Sequence, residues 1–214
     1  ASTTIKPIIA GLWDNLYDDG SSDIQYMTQG ASPNRVFVVQ WRNIRWNGST
    51  GGQQNFQIRL YQTSNKIDII YGAMSTPVTP SASIGMNDQT GGSGHFLSVT
   101  PGAIPTVSST TANNSINSIT YLTNGLTYTF SPPVLNVNPA NLAFGYVQFG
   151  GSSAELSYVL SGNNLSAGPI LVTAPAAFGV SLISGGPYTG TVNVTYTPPT
   201  LPNTTIYVQF TPTA

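Results

Sequence analysis

The sequence has no cysteine, one histidine and one glutamate. It has little charge of either sign: six Lys or Arg and seven Asp or Glu in 214 residues, or 6%, where a globular domain carries about 25%. Without cysteine there is no disulfide framework, no thiol chemistry and no Cys-ligated zinc or iron–sulfur centre. Six scattered cations do not form the basic footprint that a nucleic-acid partner requires. No run reaches the roughly 18 apolar residues of a membrane helix, so no membrane insertion is expected. The opening Ala-Ser-Thr-Thr-Ile-Lys-Pro lacks the apolar stretch of a signal peptide. An exported chain would therefore be a mature form or an internal piece. What is present argues for packed structure: 40% of residues are hydrophobic, with three Trp, eleven Tyr and eight Phe, which excludes a charged disordered tail.

The charges are unevenly placed. All six cations, from Lys6 to Lys66, and six of the seven acids precede residue 90, and beyond Pro133 only Glu155 is charged. Ser131-Pro132-Pro133 marks the break, since adjacent prolines cannot continue a ladder and stiffen a short linker. Two domains are expected, 1–131 and 134–214, joined by a Pro-Pro linker at 132–133.

Alternation of period two recurs and helical periodicity does not. Phe37, Val39 and Trp41 share one strand face. Phe56, Ile58 and Leu60 precede Ile67, Ile69 and Tyr71 across a turn at Ser64–Lys66, a hairpin pattern. Ile119–Leu122 and Leu126–Phe130 flank Asn124-Gly125, which predicts a second hairpin. Ser98–Ser118 reads as a long loop or irregular edge. In the second region, strands are expected at Leu135–Val137, Asn141–Phe144, Ala154–Ser161, Ile170–Thr173, Phe178–Leu182, Thr191–Tyr196 and Thr205–Phe210. Short strands at this spacing indicate a sandwich, so the fold class is all-β: two tandem β-sandwich, immunoglobulin-like modules.

Residues 134–214 also carry a resemblance. The stretches Leu142-Ala-Phe144-Gly145, Ser157-Tyr-Val-Leu-Ser-Gly162-Asn-Asn-Leu165, Phe178-Gly-Val-Ser-Leu182 and Ile206-Tyr-Val-Gln-Phe210-Thr-Pro212 resemble, in this order, an immunoglobulin-like module of large secreted, adhesin-like surface proteins of the Bacteroidetes type, many of them type IX secretion substrates. Gln209 stands where that module often has arginine. The first region resembles a companion module through Leu12-Trp13-Asp14, Asn34-Arg35-Val36-Phe37 and Ala82-Ser-Ile84-Gly85. The resemblance implies further strands before Leu12 and after Pro212. The chain would then be cut at both ends, either because it is a trimmed piece of a longer protein or because the missing strands are supplied by another chain across an open edge.

Candidate sites are few. Four acids, Asp14, Asp18, Asp19 and Asp23, fall within ten residues. Calcium takes six to eight oxygen ligands, and this loop offers several, although not at EF-hand spacing; exposed turns use the same residues. Trp46, flanked by Arg45 and Asn47, reads as an exposed loop aromatic able to contact a glycan, whereas Trp13 and Trp41 read as core. His95 could pair with an Asp such as Asp88 and one of many serines in a triad, but no nucleophile elbow is present, and Ser93 sits in a glycine-rich turn without that frame. The only glutamate leaves no carboxylate pair for glycoside hydrolysis.

Non-catalytic function is therefore expected: an extracellular structural or adhesive segment of a bacterial surface protein, with other modules, copies of itself or glycans as partners and calcium as the one conceivable cofactor. The alternatives are a filament subunit assembled by strand exchange and a carbohydrate-binding module of a secreted enzyme.

Overall fold

The computed structural model describes residues 6–47, 52–75, 81–117 and 119–213. It is all-β, with sixteen strands and no helix among these residues. The chain divides into two compact units, one ending at Ser131 and one beginning at Pro132.

The first unit runs through β1 (Ile8–Trp13), β2 (Leu16–Tyr17), β3 (Asp23–Gln29), β4 (Val36–Trp46), β5 (Gln54–Tyr61), β6 (Ile67–Met74), β7 (Ser83–Asn87), β8 (Phe96–Thr100), β9 (Thr106–Ser108) and β10 (Thr127–Phe130). One sheet is ordered β1-β7-β8-β9, and the other β10-β6-β5-β4-β2, with β3 also paired to β4. The alternating residues meet in rows across the larger sheet. Trp41 pairs with Phe56 and Phe56 with Tyr71; Val39 pairs with Ile58 and Ile58 with Ile69. Trp41 and Phe56 stack at 4.7 Å. Leu12, Ile84 and Val99 from the smaller sheet close over these rows to make one core. Each fully buried Ile or Val there contributes roughly 1.5–3 kcal/mol of transfer free energy.

The Asn124-Gly125 hairpin does not form as expected. Thr127–Phe130 is a strand, but its partner is β6 rather than Ile119–Leu122. The Tyr71 amide donates to the Leu126 carbonyl, and the Gly125 amide donates to that of Tyr71. Ile119–Leu122 instead turns back on itself and drops Leu122, 1% exposed, into the core. The local turn signal is outweighed by the open edge of β6, where four pairs form at once. The expected loop at Ser98–Ser118 carries the end of β8 and all of β9.

The second unit comprises β11 (Val134–Asn138), β12 (Leu156–Asn163), β13 (Ile170–Thr173), β14 (Phe178–Ser181), β15 (Thr191–Val194) and β16 (Leu201–Phe210). Four of these form the sheet β11-β12-β16-β14, and β13 pairs with β15. Leu160, Val180, Val194, Ile206 and Val208 bury between the two sheets. Asn141–Phe144 is irregular rather than a strand. Its Leu142 and Phe144 still pack on the core, with the Phe144 ring 5.4 Å from Phe178 and 6.3 Å from Phe210.

Candidate functional site

The site grows from two irregularities in the ladders of the first unit. Side chains alternate along a strand, so one extra residue exchanges the faces of everything beyond it. In β1 the register shifts between Ala10 and Trp13. Leu12 therefore enters the core, and Trp13 emerges on the outer face, 44% exposed. In β4 the register shifts between Trp41 and Ile44. Asn43 takes φ 58°, and its amide is satisfied by Asn55 Oδ1 at 3.0 Å. The extra residue turns Ile44 and Trp46 inward, leaving Trp46 only 4% exposed. The expectation for these two tryptophans is thus reversed: Trp46 is a core residue whose ring cannot stack on a glycan, and Trp13 is the accessible one.

Asp14 links the pieces. Its Oδ2 accepts from Trp46 Nε1 at 2.5 Å and from the Ser81 amide at 2.9 Å. Its Oδ1 accepts from the Asn15 amide at 2.8 Å and from Ser81 Oγ at 3.4 Å. Partial burial pushes this carboxyl up, but the bonds from Ser81, Asn15 and Trp46 outweigh it and hold the group below its ordinary value. A carboxylate offers about four acceptor positions, and all four are in use.

The other aspartates are each absorbed locally. Asp18 Oδ1 accepts the Gly20 amide at 2.7 Å and that of Ser22 at 3.2 Å. Asp19 accepts from Ser21 through its amide and hydroxyl, which lower its pKa, and forms an ion pair with Arg45. Asp23 accepts from Gln25 and from Arg42, at 2.6 and 3.3 Å. Among the described residues no three acids or histidines gather where they could hold a metal ion. The stretch expected as a calcium loop is a turn whose carboxylates are engaged by nearby amides, hydroxyls and arginines. Arg45 pairs across the ladder with Tyr17, and the exposed Asn47 donates its amide to the Asn15 carbonyl. Neither joins a shared contact surface with the buried Trp46.

His95 does meet Asp88, Nδ1 to Oδ2 at 2.8 Å. Asp88 also accepts the amides of Thr90 and Gly91; the Gly91 amide and His95 draw its pKa down. The pair sits on an exposed turn, and no serine hydroxyl among the described residues bonds the ring. It closes the β7–β8 connection, where the Asp88 amide donates to the His95 carbonyl.

The concave feature lies on the outer face of the β1-β7-β8 sheet, a groove of about 600 Å³. Its floor is a row of small residues in direct register, Ala10 beside Gly85 beside Ser98. Gly85 has φ 145°, and a Cβ there would lie 1.9 Å from the Leu97 carbonyl oxygen, so only glycine fits. Trp13 and Phe96 form apolar walls, and Asn15, Ser83 and Asn114 supply amide and hydroxyl groups at the rim. Ser83 Oγ donates to Asn114 Oδ1 at 3.0 Å. Buried Asn87 accepts the Ile8 amide at 2.8 Å, and buried Ser98 accepts that of Asn113 at 2.9 Å.

A family model described as "NIDO related" matches residues 1–132. The chain belongs to this family. The match covers the whole of the first unit, so groove, acidic turn and both bulges are features of a NIDO-related domain, an extracellular-type domain. No curated protein and no solved structure matches the chain significantly. Sequence reasoning missed the groove because its floor is made of Ala, Gly and Ser, which carry no functional signature. The one available signal in the NIDO-related unit was Gly85, a glycine inside an alternating run, which marks a bulge or close backbone approach.

Proposed function

We propose that the chain is a non-catalytic, extracellular adhesive or structural segment of a bacterial surface protein, exported by the type IX route. In this reading the NIDO-related unit carries the contact surface and the second, immunoglobulin-like unit acts as a spacer. One observation carries the reading. The groove is lined by a single carboxylate, Asp14, and every acceptor position of that carboxylate is engaged in holding the fold. Such a site binds without offering a free acid, base or nucleophile. The extracellular type of the family and the resemblance of residues 134–214 to surface-protein modules support it.

The test is direct. Antibodies raised against residues 1–214 should label intact cells expressing the parent gene, and the purified chain should compete with their attachment. Labelling that appears only after lysis would overturn the proposal.

A second reading, a filament subunit joined by strand exchange, rests on β11. This edge strand exposes Val134, Leu135 and Val137 and carries no charged residue. Edges without charged guards invite pairing. Concentrated protein that remains monomeric in electron micrographs and in sedimentation would remove it.

A further inference from the structure

We propose that the groove on the β1-β7-β8 face binds a neutral saccharide, with the Trp13 indole as its stacking wall and Asn15, Asn114 and Ser83 as partners for hydroxyl groups. The inference rests on the adhesive reading and names the ligand of the same unit. It starts from the shape. About 600 Å³ is within the usual range for small-ligand sites, roughly 300–1,000 Å³. The depression exists because Ala10, Gly85 and Ser98 leave no side-chain bulk in one row, and the backbone at Gly85 prevents any larger residue from filling it.

Charge narrows the ligand. Among the described residues no Lys or Arg lines the groove, so an anionic group has nothing to pair with. The one carboxylate is ionised near neutral pH and has no acceptor position left, so it repels anions and offers no site to a cation. The walls are an accessible indole and a phenyl ring, and the rim is amides and hydroxyls. A sugar ring presents the complement, an apolar C–H face edged by hydroxyl groups, and indole suits surfaces that are apolar on one side and wet on the other.

The topology argues against a peptide. β7, at the middle of the floor, is paired on both sides, with β1 and with β8. Its backbone groups and those of β8 are used in those ladders, so an extended peptide lying across the middle of the floor finds no strand edge to extend, the edge of this sheet being β1 at its side. Recognition must come from side chains, and those available match hydroxyl groups.

The experiment uses residues 1–214 and two sets of oligosaccharides: neutral gluco-, manno-, galacto- and N-acetylglucosamine oligomers, and sialylated or sulfated ones. Calorimetry and tryptophan fluorescence should register binding from the neutral set alone. Trp13→Ala should weaken that binding about tenfold or more, and Trp13→Phe should retain part of it. Asn114→Ala, which leaves the indole in place, should weaken it several-fold. The melting temperature should stay near that of the parent for all three, because these side chains are exposed. If Trp13→Ala unfolds, the Trp13→Phe and Asn114→Ala variants decide. No binding by the neutral set, binding only by the anionic set, binding insensitive to these variants, or displacement by peptides but not by sugars would each overturn the proposal. Adhesion to cell surfaces that persists without sugar binding would leave the adhesive reading standing and remove this one; sugar binding without adhesion would do the reverse.

Discussion

Asp14 and Trp46 are separated by 32 residues in sequence and act as one structural unit. Asp14→Ala leaves the Nε1 of buried Trp46 without its acceptor, which costs about 1–3 kcal/mol, while the exposed Ser81 amide turns to water at little cost. The melting temperature should drop accordingly. Trp46→Phe keeps most of the packing but removes the indole donor, so a smaller loss is expected, with near-UV circular dichroism otherwise native. Acid should act through the same group. Asp14 and Asp68 both lie below the ordinary aspartate value in the fold. For Asp68, burial pushes upward, and bonds from Lys66 at 2.8 Å and Thr129 at 2.8 Å help to overcome it. A depressed pKa means that the folded state holds fewer protons than the unfolded one. Their contribution is therefore complete above about pH 4 and is lost as pH falls through the lower folded values. Urea midpoints measured from pH 6 to pH 2 should fall in that lower range, less steeply in Asp14→Asn. At this scale composition was readable and placement was not. Four aspartates in ten residues read first as turn residues and second as cation ligands, and only their partners distinguish the two.

Among elements, the rows of β4, β5 and β6 were legible because alternation survives over six or more residues. Trp41, Phe56 and Tyr71 face the core as their spacing predicts. Legibility ends at the bulges. Nothing in Trp41-Arg42-Asn43-Ile44-Arg45-Trp46 announces an extra residue, although Asn is among the few side chains that tolerate positive φ. Trp46 therefore reads from sequence as an exposed loop residue and Trp13 as core, the reverse of where the bulges place them. Inserting one alanine after Arg42 tests this account: it reverses the parity beyond the bulge, turns Trp46 outward and should abolish the near-UV signal of the first unit, whereas deleting Arg42, which leaves plain alternation with Ile44 and Trp46 still inward, and Arg42→Ala should both keep that signal. Gly85→Ala should destabilise by at least about 3 kcal/mol, since it combines positive φ with a collision at Leu97 O. An alanine variant with an unchanged melting temperature would show that the groove floor is softer than described. Asn124-Gly125 failed as a hairpin marker for a different reason: the edge of β6 competes for the same strand.

For the whole molecule, the charge pattern separates two regimes of stability. The carboxylates held by buried partners belong to the first unit. In the second, Glu155 alone is charged, accepting from Ser184 Oγ, the Gly185 amide and Tyr188 to hold one turn. Hydrogen exchange at falling pH should accordingly strip protection from β4–β6 while β12 and β16 keep theirs. Loss of protection in both sets at the same pH would contradict that expectation. The cations obey the same division. Lys66, the last of them, sits at the turn between β5 and β6, its Nζ paired with Asp68 and 4.1 Å from the centroid of the Tyr61 ring. A protease that cuts only after Lys or Arg finds all its targets at or before that turn. Trypsin has no site within residues 67–214, so even a fully denatured digest leaves that stretch uncut, and the short tryptic peptides that report this sequence all come from residues 1–66.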